Sequence, residues 1–235
     1  VVMNEAGITG RIMKLADTMV GHMIGGLARV NVLLSTLMGG MSGSANADAA
    51  MQSTVLVPEM TARGYDKAFS AAVTAFSSII TAIIPPSIGL ILYGFLADVS
   101  IGQLFIAGLV PGALICTLLL IAVGRISRAE GYPPSRDTPA SWAERGRAAL
   151  DAGWGLLIPV GILGGIRFGW YTPTEAGAIA VCYALFIGLI VYRALPVRRI
   201  PAMFREAAIA TAACLLSGWP EYGSVTAASR LFTRP

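Results

Sequence analysis

Charge is the first thing this sequence is short of. Lys, Arg, Asp and Glu together make up 13% of its 235 residues, about half the share of an ordinary soluble domain. The mean hydropathy is +0.70. The shortage is concentrated: residues 68–97 and 99–124 hold no charged side chain at all, and about 20 apolar residues suffice to cross a bilayer. Those runs exclude a soluble fold and require an integral membrane protein. Histidine is nearly missing, and His22 alone can neither build a metal site nor serve as base for Ser42, Ser44 or Ser87. A Gly-Lys-Ser phosphate loop is lacking, which excludes an ATPase. Asp48 is the one acid near the middle of an apolar segment, so an intramembrane aspartyl pair lacks its second member. An enzyme is therefore not expected. Cys116, Cys182 and Cys214 lie far apart in apolar segments and read as small buried hydrophobes. The net charge of +4 sits in connecting segments, where it reports topology and gives no reason to invoke nucleic acid.

What is present is a series of apolar helices with two conspicuous interruptions. Residues 1–24 contain an amphipathic helix, with Ile12, Leu15, Ala16 and Met19 on one face, expected to lie at the membrane interface. In residues 25–60, the apolar run from Asn31 to Met41 is 11 residues long, or about 17 Å of helix. It stops at Gly39-Gly40-Met41-Ser42-Gly43-Ser44, and a second short helix is expected from Ala45 until Pro58-Glu59 ends it. Two half-length helices meeting at a Gly/Ser tip read as a re-entrant hairpin. One continuous helix is the competing reading, and it would bury three glycines and Asp48 within the span. Residues 61–98 carry Pro85-Pro86-Ser87 near the middle of their apolar run. Consecutive prolines remove two backbone donors, so a transmembrane helix broken at mid-membrane is expected, with an ordinary kink as the alternative.

Residues 99–124 read as a conventional span, 125–151 as a cytoplasmic loop, 152–192 as a transmembrane pair, and 193–235 as a basic loop with an atypical tail. Gly161, Gly165 and Gly169 recur every fourth residue, which suits close helix packing in lipid. The positive-inside rule puts Arg11 and Lys14, Arg63 and Lys67, the arginines of 125–147 and those of 193–205 on one cytoplasmic side. Before the tail, only Arg29 and Arg167 fall outside these clusters.

Irregular backbone at membrane depth survives only when buried in protein or lining a polar cavity. The candidate binding residues are therefore Ser42, Gly43, Ser44, Asn46, Asp48, Pro85, Pro86 and Ser87. Carbonyls and hydroxyls at the tip, facing the Pro85–Ser87 break, supply hard oxygen ligands for a small cation, with Ser42, Ser44 and Ser87 as side-chain ligands. Half-helix N-termini suit an anionic substrate group. Asp48 can neutralise a cation or cap a helix start, and the serines can equally serve packing.

The run from Gly39 to Ser44 with Ala47-Asp48-Ala49-Ala50, then Val57-Pro58-Glu59-Met60, Arg63-Gly64-Tyr65, Ile84-Pro85-Pro86-Ser87, Ser100-Ile101-Gly102, Pro111-Gly112, Gly164-Gly165-Ile166 and Thr172-Pro173-Thr174-Glu175-Ala176 resembles the large membrane subunit of TRAP (tripartite ATP-independent periplasmic) transporters. The resemblance covers roughly Ile8 to Glu206. It implies an all-α integral membrane protein of the elevator type, with a re-entrant hairpin and a discontinuous transmembrane helix. It further implies sodium-driven import of organic acids across the bacterial inner membrane. The partners implied are a small membrane subunit and a periplasmic substrate-binding protein. On this likeness Ser42 to Ser44 form the first hairpin tip and Pro85 to Ser87 the facing break, framing one sodium site and one wall of the substrate site; no other cofactor is expected. Asn46 departs from the small apolar residue usual in the family. The likeness is expected to stop near Ala210, and residues 217–235 look foreign to it. The chain also opens without the family's first helices, so a truncated, non-transporting fragment is the alternative.

Overall fold

A computed structural model describes residues 6–209, and every regular element among them is helical. The order is α1 (Ile8–Val20), α2 (Gly26–Ser42), α3 (Ala45–Ala62), α4 (Lys67–Ile83), α5 (Ile88–Leu96), α6 (Ile101–Ala129), α7 (Trp142–Arg167) and α8 (Pro173–Phe186). A π-helical turn (Ile187–Val191), a 3-10 turn (Val197–Arg199) and a helical stretch over 200–209 follow. Helix starts are set by short polar side chains that accept an N–H three residues on. Ser44, Asp66, Ser87 and Ser100 do this for Ala47, Phe69, Leu90 and Gln103. Thr172 and Glu175 form a reciprocal capping box at the head of α8.

Helices α6 and α7 are each long and apolar enough to cross a membrane. Helices α4 and α5 make a third candidate, bent by 43° at the Pro85–Ser87 break. The connections sort to two ends. At one end Gly25 N–H donates to Tyr132 O (3.3 Å) and Ser135 N–H to Gly21 O (2.8 Å). Arg63 Nη1 donates to Ser135 O (3.1 Å), and Tyr65 OH to Pro133 O (2.9 Å). The Tyr65 and Tyr132 rings stack there at 4.5 Å. The segments 21–25, 63–66 and 132–136, most of them flanked by basic residues, thus form one basal layer. Both outer ends of the α2–α3 pair are tied to the same loop. At the opposite end, Phe95, Asp98, Ser100 and Tyr171 line one cavity. Exposed Trp170 at that end and Trp142 at the base are amphipathic rings of the kind that favour a membrane–water boundary.

Several sequence-derived boundaries are corrected. α2 and α3 run for 17 and 18 residues, about 25 Å each, so α2 exceeds the roughly 17 Å of its Asn31–Met41 run and α3 is longer than the short helix expected. Pro58 lies inside α3 instead of ending it; proline costs one N–H and a bend, which flanking turns absorb. α6 continues to Ala129, and α7 begins at Trp142 with Glu144, Arg145, Arg147 and Asp151 already helical. The expected 125–151 loop is therefore confined to about 130–141. α1 buries Ile8, Ile12, Leu15 and Ala16 against α2 and α7, so that apolar face is covered by protein, while Met19 is exposed. Among the described residues, no helix packs against the Gly161–Gly165–Gly169 stripe. Gly161 and Gly169 have no neighbour within 4 Å of where a side chain would begin, and Gly165 abuts the Tyr171 ring. Cys116 is buried but Cys182 is exposed, which corrects the reading of all three as buried; Cys214, like the tail, lies outside the described residues.

Candidate functional site

The two breaks meet. At the first, α2 ends on Gly43 in left-handed backbone (φ +59°), whose N–H caps Gly39 O at 3.2 Å, and Ser44 opens α3. At the second, α4 ends at Ile83 and Ser87 opens α5. Ile88 N–H donates directly to the Gly43 carbonyl (3.2 Å). The contact requires glycine twice over, because a Cβ on Gly43 would lie 2.2 Å from the Pro86 carbonyl oxygen and L-residues disfavour positive φ. Helices α2, α3 and α4 have 17, 18 and 17 residues, so each places its break about 25 Å from the basal layer. Two helix C-termini and two N-termini therefore converge at one depth.

That convergence has a definite electrostatic content. Carbonyl ends carry partial negative charge and N–H ends partial positive charge, and the last carbonyls and first N–H groups lack intrahelical partners. Ser87 is buried, donates to Ala82 O and accepts from Leu90 N–H (3.4 Å). Its hydroxyl is thus mainly occupied with capping. Ser44 is half-buried and accepts from Ala47 N–H (3.4 Å). Helix geometry leaves the N–H groups of Ala45, Asn46 and Gly89 free of intrahelical bonds. The Asn46 side chain is exposed. Pro85 is buried, and the Pro86 carbonyl faces Gly43. Ser42 is the last residue of α2, and its side chain lies outside the described part of the structure.

Asp48 does not cap α3; Ser44 does. Instead Asp48 turns inward, buried at 2% exposure, about one helical turn from the tip. Its Oδ2 accepts from Ser35 Oγ (2.7 Å), Gln52 Nε2 (2.7 Å) and Thr81 Oγ1 (3.1 Å). Gln52 Nε2 also donates to Ser35 Oγ, and Thr81 Oγ1 to Ser35 O (3.0 Å). Further toward the base, Asn31 donates to Thr74 Oγ1 (2.9 Å) and accepts from Ser77 Oγ (2.7 Å). This buried polar ladder joins α2, α3 and α4, and Ser35, Gln52, Thr81, Asn31, Thr74 and Ser77 were missed from sequence. Their signal was helical spacing: Asn31/Ser35, Asp48/Gln52 and Thr74/Ser77/Thr81 each share a face. Asp48 Oδ1 and Gln52 Oε1 are buried without any hydrogen-bond partner among the described residues. Leaving such acceptors bare costs about 1–3 kcal/mol each. Two orphaned oxygens, one on a carboxylate, fit a small hard cation.

Apolar spans, buried helix breaks and a polar ladder between them define a helical membrane protein with its polar machinery held inside the protein. The family model described as "Tripartite ATP-independent periplasmic transporter, DctM component" matches residues 1–217, and the chain belongs to that family. It is 39% identical over 232 residues, 98% of this chain and 54% of the relative, to the sialic acid TRAP transporter large permease protein SiaM of Vibrio cholerae. It is 37% identical to the C4-dicarboxylate large permease protein DctM of Pseudomonas aeruginosa, covering 87% of this chain and 47% of that protein. It is 42% identical to the 2,3-diketo-L-gulonate large permease protein YiaN of Escherichia coli, covering 82% and 45% respectively. The chain thus spans about half the length of the curated relatives it matches. All three are named as permeases, not as enzymes. The family model stops at residue 217, whereas the alignment to SiaM takes in 98% of the chain; residues 217–235 lie outside the described residues.

Proposed function

We propose that this chain forms part of the large inner-membrane subunit of a sodium-driven importer of organic acids. Its partners on this reading are a small membrane subunit and a periplasmic binding protein that delivers the substrate. The observation that carries the proposal is the hydrogen bond between Ile88 N–H and Gly43 O, which brings helix ends of both polarities to one point. Carbonyl ends together with Asp48 Oδ1 and Gln52 Oε1 suit sodium, while the N–H ends of α3 and α5 suit a carboxylate. Ser42, Ser44 and Ser87 contribute oxygens to the cation side; Gly43, Pro85 and Pro86 shape the meeting point, and Asn46 faces outward toward substrate.

On the same reading α2–α3 is a re-entrant hairpin entering from the cytoplasm, and α4–α5 is one discontinuous transmembrane helix. The tie of both hairpin ends to the 132–135 loop supports the first, and the 43° bend supports the second. The ladder from Asn31 to Asp48 binds α2, α3 and α4 into one unit. That is what an elevator-type cycle requires of the helices that carry the site through the membrane as a body.

The carboxylate class is favoured because anions are what two converging helix N-termini attract, and because SiaM and DctM are named for acids. In proteoliposomes holding the assembled transporter, substituting Ser42→Ala together with Ser44→Ala abolishes sodium-dependent uptake. Uptake that keeps its dependence on sodium sinks the site assignment.

A further inference from the structure

Arg29, which falls outside the sequence's basic clusters, lies beside Arg125 and Arg128 of α6. The three line a cavity of about 390 Å³ with Gly124, Leu120 and Ile121. The Arg29 guanidinium lies flush against α6 at a residue without a side chain: a Cβ on Gly124 would sit 2.0 Å from its Nη2. Its Nε donates to Ile24 O (3.1 Å), and Nη1 touches the Met23 sulfur at 3.6 Å. None of the three has a carboxylate within ion-pair reach among the described residues; the ion pairs there are Arg63–Glu59 and Arg136–Glu144. Three like charges in one groove repel one another, and an anion with several acceptor oxygens relieves the repulsion while taking guanidinium hydrogen bonds in pairs.

The other wall is apolar. Ile121 and, one turn earlier, Leu118 are half exposed on the outer face of α6. The arginines sit in the last turns of α6 and the first turn of α2, at the basal end. There, on the proposed membrane topology, headgroups of the cytoplasmic leaflet lie. A ligand with phosphate at one end and hydrocarbon at the other matches both walls.

We propose that the Arg29–Arg125–Arg128 groove binds the phosphate headgroup of an anionic phospholipid, with its acyl chains along Leu118 and Ile121. This rests on α6 being a membrane span and is independent of the sodium site. The test is native mass spectrometry of the full chain in detergent, titrated with phosphatidylglycerol, phosphatidylethanolamine of the same acyl chains, or inorganic phosphate. The chain retains phosphatidylglycerol over phosphatidylethanolamine. Each Arg→Gln change weakens that binding about fivefold, and Arg29→Gln, Arg125→Gln and Arg128→Gln together weaken it on the order of a hundredfold. Replacing all three by Lys keeps the charge and the lipid preference, which separates lost charge from misfolding. Equal retention of both lipids, or unchanged binding in the triple Gln variant, overturns the proposal. So does displacement of phosphatidylglycerol by millimolar inorganic phosphate.

Discussion

Substituting Gly43→Ala tests the meeting of the two breaks with a single methyl group. At φ +59° an L-residue carries about 1–2 kcal/mol of backbone strain. The new Cβ would also lie 2.2 Å from the Pro86 carbonyl, so the tip must withdraw, and withdrawal gives up the Ile88–Gly43 hydrogen bond (3.2 Å), worth about 1 kcal/mol. Gly64 supplies the matched control. It has φ +86° and no atom within 4 Å of where its Cβ would be, so Gly64→Ala carries strain without collision and lies in the basal layer. Thermal unfolding of both variants in detergent should show comparable losses attributable to strain, with a further loss in Gly43→Ala. Organic-acid uptake by the assembled transporter should separate them sharply. Gly43→Ala falls at least about tenfold, the equivalent of 1.4 kcal/mol, whereas Gly64→Ala stays near wild type. Equal uptake by the two variants would refute the idea that contact between tip and break organises the site.

Other outcomes follow from the same geometry. Thr81→Val removes a hydroxyl from both Asp48 Oδ2 and Ser35 O; it should raise the sodium concentration for half-maximal uptake and lower stability by about 0.6 kcal/mol, and an unchanged sodium requirement counts against a coupled ladder. Burial holds the Tyr65 hydroxyl above its usual value of 10.0. A raised folded value means that its contribution is complete below about pH 10 and lost as pH rises beyond; Tyr65→Phe should flatten the alkaline loss of melting temperature, and identical profiles would contradict this. Cysteines introduced into a cysteine-free background test sidedness: an impermeant maleimide applied to intact cells should label Asp98→Cys and Trp170→Cys but not Lys67→Cys or Glu130→Cys, and the reverse pattern inverts the topology.

The breaks were legible in the sequence because glycine and proline punctuate helices for local reasons that lipid does not cancel. The chain breaks at Gly43–Ser44 and again at Pro85–Ser87, although Gly39 and Gly40 stay helical within α2. Helix ends marked by charge were misjudged. Charge marks where a helix leaves the hydrocarbon, not where it stops, and Arg125, Arg128, Arg145, Arg147 and Asp151 are all helical. The ladder was missed for a different reason. Ser and Thr in apolar helices can satisfy themselves on the preceding turn, as Thr117 does on Ala113 O (2.8 Å). Only the packing of α2 against α4 distinguishes Ser35, Ser77 and Thr81 from such residues. Asp48 was recognised as important, but its position four residues past the cap, facing Gln52, is a tertiary fact. Arg29 looked like an exception in one dimension and joins Arg125 and Arg128 in three.

The central claim is that the orphaned oxygens of Asp48 and Gln52, together with the converging helix ends, couple sodium to substrate. Initial rates of organic-acid uptake into proteoliposomes, measured against external sodium for the wild-type transporter and for Asp48→Asn, test it most directly. The substitution preserves shape and removes the charge. A large rise in the sodium needed, or loss of sodium-driven uptake, is the predicted result; wild-type sodium dependence in Asp48→Asn contradicts the account.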